Sequence, residues 1–403
     1  MRTPNILIVD GLSRNGLAVA RGLKMGGPFR IHVMSRSSGS VDFLSRVFKS
    51  KSVDFLHFSS SSFHEDTFTE TVKSILDEFG IDAVIPAGQE AAVAVSRAKP
   101  ELEKYSKILI EGHEKLMDFA DKGRTASVAA ASGIPIPETF LPRDLEEVRE
   151  LAAASSYPVV IKARTGAGGR GIRIAENSRE MLEIYRGMSW QCPGGGDSLD
   201  SGSLPIVQQH IPGKIHDALV FCLNGEVKAG LTQQRIVTRP PSGGIGILNI
   251  TTRDTRLLDH ARALALHTGW NGVMMLEFKV DSRDGGEVLL EVNPRFWGTT
   301  WLSICAGVNF PLYLVQEAFG EKPSYPVGYR EGLACRWLLD EIGGIFSSPR
   351  GFPEIAERTR VFLSGFRYRE CAYDLMLSDP NPAFGTILVS LHDCLRRALR
   401  VRA

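Results

Sequence analysis

The stretch that most constrains the fold runs from residue 273 to 295. Its first arm is Val273-Met274-Met275-Leu276-Glu277-Phe278-Lys279-Val280, residues 281–286 form a polar turn, and Glu287-Val288-Leu289-Leu290-Glu291-Val292-Asn293 return. Apolar residues alternate on both arms, with Met274, Leu276, Phe278 and Val280 on one and Val288, Leu290 and Val292 on the other. That is the two-residue period of strands with one buried face. A turn centred on Asp284 pairs these apolar sets. It also sets Glu277 opposite Glu291, with Asn293 beside them on the other face. Carboxylates opposed in a sheet repel unless a cation stands between them. Three oxygen donors on one face suit Mg²⁺, which takes carboxylates together with substrate phosphates. A solvated polar face is the plain alternative, and a slip of one residue would separate the pair.

Residues 1–112 alternate strand and helix patterns, with strands at 6–9, 30–34, 53–58, 83–86 and 108–110 and helices such as 15–23 and 65–79. That order predicts a parallel sheet. The first turn, Gly11-Leu12-Ser13-Arg14-Asn15-Gly16, matches the dinucleotide fingerprint only in part. The middle glycine is missing, and Ser35-Arg36 stand where an acidic residue would end the second strand, so a structural strand-to-helix turn is expected. Gln89-Glu90 follow the fourth strand, where open sheets carry ligand loops; substrate contact and an ordinary helix start are both open readings.

A helix opens at Asp121-Lys122 and is stopped by Gly133, Pro135 and Pro137. Residues 140–204 read as a small α+β unit, with strands at 158–163 and 172–175 flanking a glycine-rich turn and a polar surface loop at 192–198. Strands resume at 204–209, 218–223, 228–234 and 246–250, with Asn224-Gly225 as a hairpin turn. The tail ends in a basic amphipathic pattern at 384–400, read as packing on the body, with membrane contact as the alternative.

Bulk properties mainly exclude. A length of 403 residues suggests two or three domains. A formal net charge of +1 gives no reason to expect a nucleic-acid partner. The six cysteines include no CxxC pair, which indicates neither a zinc site nor a disulfide framework and fits a reducing compartment. There is no signal-peptide pattern, and no run reaches the roughly 18 apolar residues of a membrane span. The expectation is a soluble cytoplasmic protein.

The residues that could carry chemistry cluster in four places. Residues 164–171, Arg164-Thr165-Gly166-Ala167-Gly168-Gly169-Arg170-Gly171, join two short strands, and such glycines let backbone amides approach an anion. Lys162 precedes this loop; with Val159 and Ile161 facing the core it projects from the opposite face. Lys122 is a second candidate phosphate contact. Val207-Gln208-Gln209-His210-Ile211-Pro212-Gly213 read as a strand ending in a hinge whose backbone could meet an adenine edge. His210 is a candidate base or a plain exposed hinge residue. Arg235 and Arg239 follow a strand, and Arg295 follows the carboxylate arm, where it could clamp a phosphoryl or carboxylate group or pair with Glu291 or Glu277.

In this order and spacing, Asp121-Lys122 with Gly133-Ile134-Pro135-Ile136-Pro137, Pro158-Val159-Val160-Ile161-Lys162 with its glycine loop, Gln208 to Gly213, and Glu277 with Glu291-Val292-Asn293-Pro294-Arg295 resemble the ATP-grasp superfamily. The likeness is to carboxylate–amine ligases built like the carbamoyl phosphate synthase large subunit. It implies an α/β and α+β architecture: a Rossmann-like pre-ATP-grasp domain at 1–112, an ATP-grasp domain at 113–320 and a C-terminal extension at 321–403. The ATP-grasp domain would divide into a small lid near 140–204 and an antiparallel-sheet body near 205–320.

The resemblance also implies ATP and Mg²⁺ as cofactors, with Mn²⁺ as an alternative ion. Lys122 and Lys162 would contact the phosphates, and the loop with Gly166, Gly168, Gly169 and Gly171 would close over them. Gln208, Gln209, His210 and Ile211 would line the adenine pocket, Gln209 and Ile211 through backbone atoms. Glu277, Glu291 and Asn293 would hold the metal, while Arg295 and Arg235 would steady the transferred phosphoryl group. The implied reaction is ligation of a carboxylate to an amine through an acyl phosphate. A nucleotide-binding module without turnover, and a carboxylase or phosphotransferase of the same fold, are the alternatives. The partners would be a small-molecule carboxylate and amine, with no nucleic acid and no transmembrane segment; a homodimer is left open. Two positions depart from the family pattern. Ile215 stands where a ribose-binding glutamate is common, with His216 or Asp217 as substitutes, and Gln208 stands where an acidic residue is common.

Overall fold

The computed structural model describes residues 2–37, 40–63, 67–166, 171–189, 204–239, 244–346, 352–368, 371–373 and 375–388. The chain forms two compact units, one of Met1–Ile110, Gly246–Thr252 and Arg295–Ala403, the other of Glu111–Ile245 and Arg253–Pro294.

In the first unit β1 (Asn5–Val9), β2 (Arg30–Arg36), β3 (Phe55–Ser59), β4 (Ala83–Pro86) and β5 (Lys107–Ile108) make a parallel sheet in the order β3-β2-β1-β4-β5. Its central strand is buried along its length, which is why Ile6-Leu7-Ile8-Val9 is continuously apolar rather than alternating. Helix Arg14–Gly26 is capped by Ser13, whose Oγ accepts from the Gly16 amide at 3.2 Å. A Cβ at Gly16 would stand 2.3 Å from Gly11 Cα. The glycines of the first turn therefore serve the close approach of helix start to strand end, the structural role expected of them.

Early in β2, His32 is buried against Phe55, and its Nδ1 lies 3.1 Å from His57 Nε2. Burial, and next the neighbouring His57, pull His32 down from 6.5 to about 4. The folded state therefore resists a proton that the unfolded chain accepts. Stability is complete above about pH 6.5 and declines as pH falls towards about 4, by about 3 kcal/mol from this group. Replacing His32 with phenylalanine is expected to remove that acid slope. The check is the difference between variant and wild-type melting midpoints followed from pH 7 to pH 4; parallel curves would refute it.

In the second unit β6 (Thr139–Phe140), β7 (Val159–Lys162), β8 (Ile172–Ala175) and β9 (Ile206–Gln209) form an antiparallel sheet in the order β6-β9-β7-β8. Helices Leu145–Ala154 and Ser178–Ser189 cover one face through Val148, Ala152, Met181 and Tyr185, meeting Val159, Ile161 and Val207. The body begins with β10 (Gly213–Leu223) and β11 (Glu226–Arg239), joined by Asn224 and Gly225 at φ of +50° and +81°. That left-handed pair is what the Asn-Gly hairpin signal requires.

β12 (Ile245–Thr252) belongs largely to the first unit. β13 (Gly272–Asp281) and β14 (Glu287–Asn293) complete the body in the order β14-β13-β10-β11. Met274, Leu276 and Phe278 pack with Leu289 and Val292 against Leu257, Ala261 and Leu264 of helix Thr255–Thr268.

The β13–β14 register is built differently from the simple hairpin. Near the turn Val280 faces Glu287 and Phe278 faces Leu289, so an unbroken ladder would bring Glu277 opposite Leu290. A bulge leaves Leu290 as the extra residue and restores Glu277 opposite Glu291 and Met275 opposite Asn293. The buried apolar residues of the second arm are accordingly Leu289 and Val292: Val292 is buried as expected, while Leu289 takes the place expected of Val288 and Leu290.

In the first unit β15 (Ala334–Arg336) pairs antiparallel with β12, and β16 (Cys371–Tyr373) parallel with β15. The two-unit division differs from the three-part expectation: residues 295–320 group with the parallel sheet and with the C-terminal extension. Packing gives the reason. Asn309 Nδ2 donates to Gly22 O at 2.8 Å, and a Cβ at Gly22 would stand 2.8 Å from Ile304 Cδ1. The extension is latched by Asp379, which pairs with buried Arg21 at 3.0 Å. Residues 381–388 are helical; the rest of the amphipathic stretch to 400, and the polar loop at 192–198, lie outside the described residues. Among the described residues no helix is long and apolar enough to cross a membrane.

Candidate active site

In the second unit, alternation along β7 sends Val159 and Ile161 into the core and leaves Lys162 on the opposite face, with Val160 and its register partner Gln208. Lys162 is nonetheless buried. Burial pulls its ammonium down to about 8; Glu291 works against that shift and Lys122 with it. Lys122 opens helix Lys122–Ala131, its Nζ 3.6 Å from Glu291 Oε1 and donating to Gly166 O at 3.2 Å.

Asp121 caps the same helix, accepting from the Gly123 and Arg124 amides, and takes Arg164 through both Nε and Nη2 at 2.9 Å. The Lys122 amide in turn donates to Arg164 O at 2.9 Å. Arg164 is thus the clasp tying the glycine loop to a helix start. Gly166 and Gly171 adopt φ of +116° and +76°; Gly168 and Gly169 lie outside the described residues.

On β9 the Gln208 Nε2 donates to Thr139 Oγ1 at 2.9 Å, while its Oε1 is buried with no partner among the described residues. Leaving an acceptor buried and unmatched is costly; an exocyclic amino group such as adenine's would satisfy it. The Gln209 amide is committed to Glu138 O at 2.9 Å, and Ile211 O accepts from Lys279 Nζ at 2.7 Å. Half-buried His210 has its pKa lowered, by burial first and by Lys279 next.

The acidic pair has cations of its own. Arg235 Nη2 donates to Asp217 Oδ1 at 2.7 Å and to Glu277 Oε2, its Nε to Asp217 Oδ2 at 3.1 Å, and its Nη1 to Gly244 O at 2.8 Å. Asp217 also accepts from Gln233 Nε2 at 2.7 Å and is fully buried. Burial works against the Arg235 charge, but Asp217 and Glu277 outweigh it and hold its pKa above the ordinary range. For Glu277 the order is burial upward, Arg235 downward, Glu291 upward, and the net direction is up. A carboxylate so placed gains from further positive charge.

Among the described residues no group of three or more His, Cys, Asp or Glu side chains is arranged to hold a metal. Glu277 and Glu291, directly opposed, with buried Asn293 two residues along the same arm, instead fit a Mg²⁺ that fills its remaining positions with phosphate and water.

Both substitutes for the ribose contact fall away. Asp217 is spent on Arg235 and Gln233, and half-buried His216 sits one residue along β10, on the opposite face. Ile215 itself is buried opposite Lys279. Arg295 belongs to the first unit, where its Nε donates to Gln89 Oε1 at 2.9 Å and its Nη1 to Phe296 O at 2.7 Å. Sequence reading named Asp217 only as a ribose substitute and missed its partnership with Arg235, and it missed Lys279. Lys279 lies two residues beyond Glu277 on its strand and so shares its face; Asp217 needs the β10–β13 register, which no local pattern supplies.

Residues 121–195 match the family described as carbamoyl-phosphate synthase L chain, ATP binding domain, and residues 222–341 match one described as ATP-grasp in the biosynthetic pathway with Ter operon. Pyruvate carboxylase of Bacillus subtilis is 30% identical over 190 residues, 45% of this chain and 16% of that protein. The leading curated relatives are covered only over 16–28% of their lengths. Among solved structures, the MgADP- and bicarbonate-bound biotin carboxylase domain dimer of Hydrogenobacter thermophilus 2-oxoglutarate carboxylase superposes with a TM-score of 0.67 at 18% identity, over 83% of this chain and 74% of that one. An L-amino acid ligase from Bacillus licheniformis gives 0.63 at 16% identity, over 83% and 79%. With the fold and the order of the motifs, these matches place the chain in the ATP-grasp superfamily.

Proposed function

We propose that the chain is an ATP-dependent ligase that joins a carboxylate to an amine through an acyl phosphate, releasing ADP and phosphate. The observation carrying this reading is the opposed pair Glu277 and Glu291, set beside Lys122, Lys162 and Arg235. A carboxylate is a poor acylating agent because oxide is its leaving group; phosphorylation replaces oxide with phosphate. The residues assigned to this step position and neutralise, and none needs to act as a nucleophile. Lys122 and Lys162 bind the nucleotide phosphates, and Gln208 with the Gln209 carbonyl and Ile211 takes the adenine edge. Glu277, Glu291 and Asn293 would hold Mg²⁺, which offsets charge on the terminal phosphates. Arg235 keeps Glu277 in place, and Arg295 steadies the group being transferred.

The test is ADP release by the full chain with pooled amino acids, with and without magnesium. Nucleotide binding without turnover across broad carboxylate and amine panels would favour a binding module instead. A second reading takes bicarbonate as the carboxylate; it is favoured by the likeness to pyruvate carboxylase and would appear as bicarbonate-dependent, amine-independent ADP release. Lys162→Ala is expected to weaken ATP binding by about 10- to 100-fold, the 1.5–3 kcal/mol of a hydrogen bond to a charged group. Unchanged affinity by calorimetry would remove Lys162 from the phosphate site.

A further inference from the structure

Four polar side chains stand in one row across the body of the second unit. Glu291 on β14 faces Glu277 on β13, Glu277 faces Asp217 on β10, and Asp217 faces Gln233 on β11. Residues directly opposed in a sheet share a face. Two strand spacings put Gln233 roughly 10 Å across the sheet from Glu277, in the row that begins with the acidic pair. The metal and its arginine account for the first three members and leave Gln233 without a task.

Gln233 is 1% exposed. Its Nε2 donates to Asp217 Oδ2 at 2.7 Å, while its Oε1 is buried with no partner among the described residues. Turning the amide round would not cure this. A carboxylate paired with a guanidinium only accepts, so Asp217 meets the NH₂ end and the carbonyl end faces away. The rest of the row supplies no donor: Glu277 accepts from Arg235, and Glu291 lies beside Lys122. Two residues along β11 on the same face, Arg235 turns its Nε and Nη2 to Asp217 and Glu277 and its Nη1 to Gly244 O. A carbonyl oxygen held in this way, out of water and unmatched, is costly until a group with an N–H or O–H meets it.

We propose that Gln233 Oε1 receives an N–H of the attacking amine and so seats the second substrate on the β11 side of the acidic pair. The inference rests on the ligase reading and deepens it. An amide suits this task better than a carboxylate would. A nearby carboxylate favours the ammonium form, which has no lone pair to attack with. A neutral acceptor orients the free amine by one N–H and leaves its lone pair open. That lone pair forms the C–N bond at the acyl carbon, and phosphate leaves with the electrons of its C–O bond and the proton the nitrogen sheds.

The test uses the full chain with ATP, magnesium and pooled amino acids as carboxylates. Hydroxylamine, uncharged at pH 7, stands for the amine and records each acyl phosphate as a hydroxamate. Gln233→Met removes both ends of the amide; Gln233→Lys keeps a donor for Asp217 and lacks the acceptor. With the wild type, hydroxamate formation is expected to saturate as hydroxylamine rises. Both variants are expected to raise the half-saturating hydroxylamine concentration at least about fivefold, the effect of losing one neutral hydrogen bond, and to change that of ATP much less. Gln233→Lys carries the test if Gln233→Met does not fold. Wild-type behaviour of the lysine variant would show that Gln233 serves only to tether Asp217, and would overturn the proposal. So would equal losses for ATP and hydroxylamine, variants that both respond like wild type, or wild-type capture that rises linearly without saturating. Failure of the wild type to form any hydroxamate would strike the ligase reading itself, and this inference with it.

Discussion

Glu291→Gln is expected to abolish turnover, by about a thousandfold or more, while the protein still folds. The upper range for removing one preorganised electrostatic contact from a reacting group is about that size, and here two effects combine. The charge facing Glu277 across the sheet disappears, and with it a hard oxygen ligand that an amide replaces poorly for Mg²⁺. Glu291 is also the strongest influence holding the Lys162 ammonium up against burial. Without it Lys162 falls below its present value of about 8 and is less often charged when phosphate arrives. The cost to folding is small by comparison. Glutamine has nearly the same shape, and the ion pair lost, Lys122 to Glu291, is a long one at 3.6 Å. The measurements are ADP release under saturating magnesium and the melting midpoint of the same preparation. A variant of normal rate would show that the metal ligands are misassigned, and one that fails to fold would show that the pair serves the scaffold.

How far the sequence could be read depended on the range of the signal. Lys162 was legible because strand alternation is local: two apolar neighbours fix the face of the lysine between them. The five parallel strands were legible for the same reason, each being a short apolar run between helical patterns. The pairing of Glu277 with Glu291 was reached by assuming one uniform register, whereas the protein reaches it through a bulge at Leu290 that buries Leu289 in place of Leu290 and keeps Val292 buried. Nothing local marks that bulge, since Leu289 and Leu290 are equally apolar. The adherence of residues 295–320 to the first unit was also invisible, because it depends on Gly22 being small enough for Asn309 and Ile304 to sit on it. The ribose question was framed by counting residues from a glycine. The structure decides it by partnership instead: the carboxylate that looked available is taken by an arginine from the next strand.

That partnership predicts the largest change in stability. Asp217→Ala is expected to destabilise the second unit by about 3–5 kcal/mol, the range for breaking a buried ion pair by removing one partner. Asp217 is fully buried and accepts three hydrogen bonds, two from Arg235 and one from Gln233. Its removal strands the buried Arg235 Nε and Gln233 Nε2 donors. For a unit of this size the melting midpoint should fall by about 10 °C. Activity should fail separately, below the new midpoint. Among the described residues, an Arg235 released from Asp217 keeps Glu277 as its charged partner, so its charge concentrates on the residue assigned to the metal. Asp217→Asn separates the two effects: it preserves the shape and an acceptor oxygen but not the charge, so stability recovers in part while magnesium-dependent ADP release stays low. Were Asp217→Ala to melt within a degree or two of wild type, the buried cluster would not hold the sheet together, and Arg235 would be free to act directly on substrate.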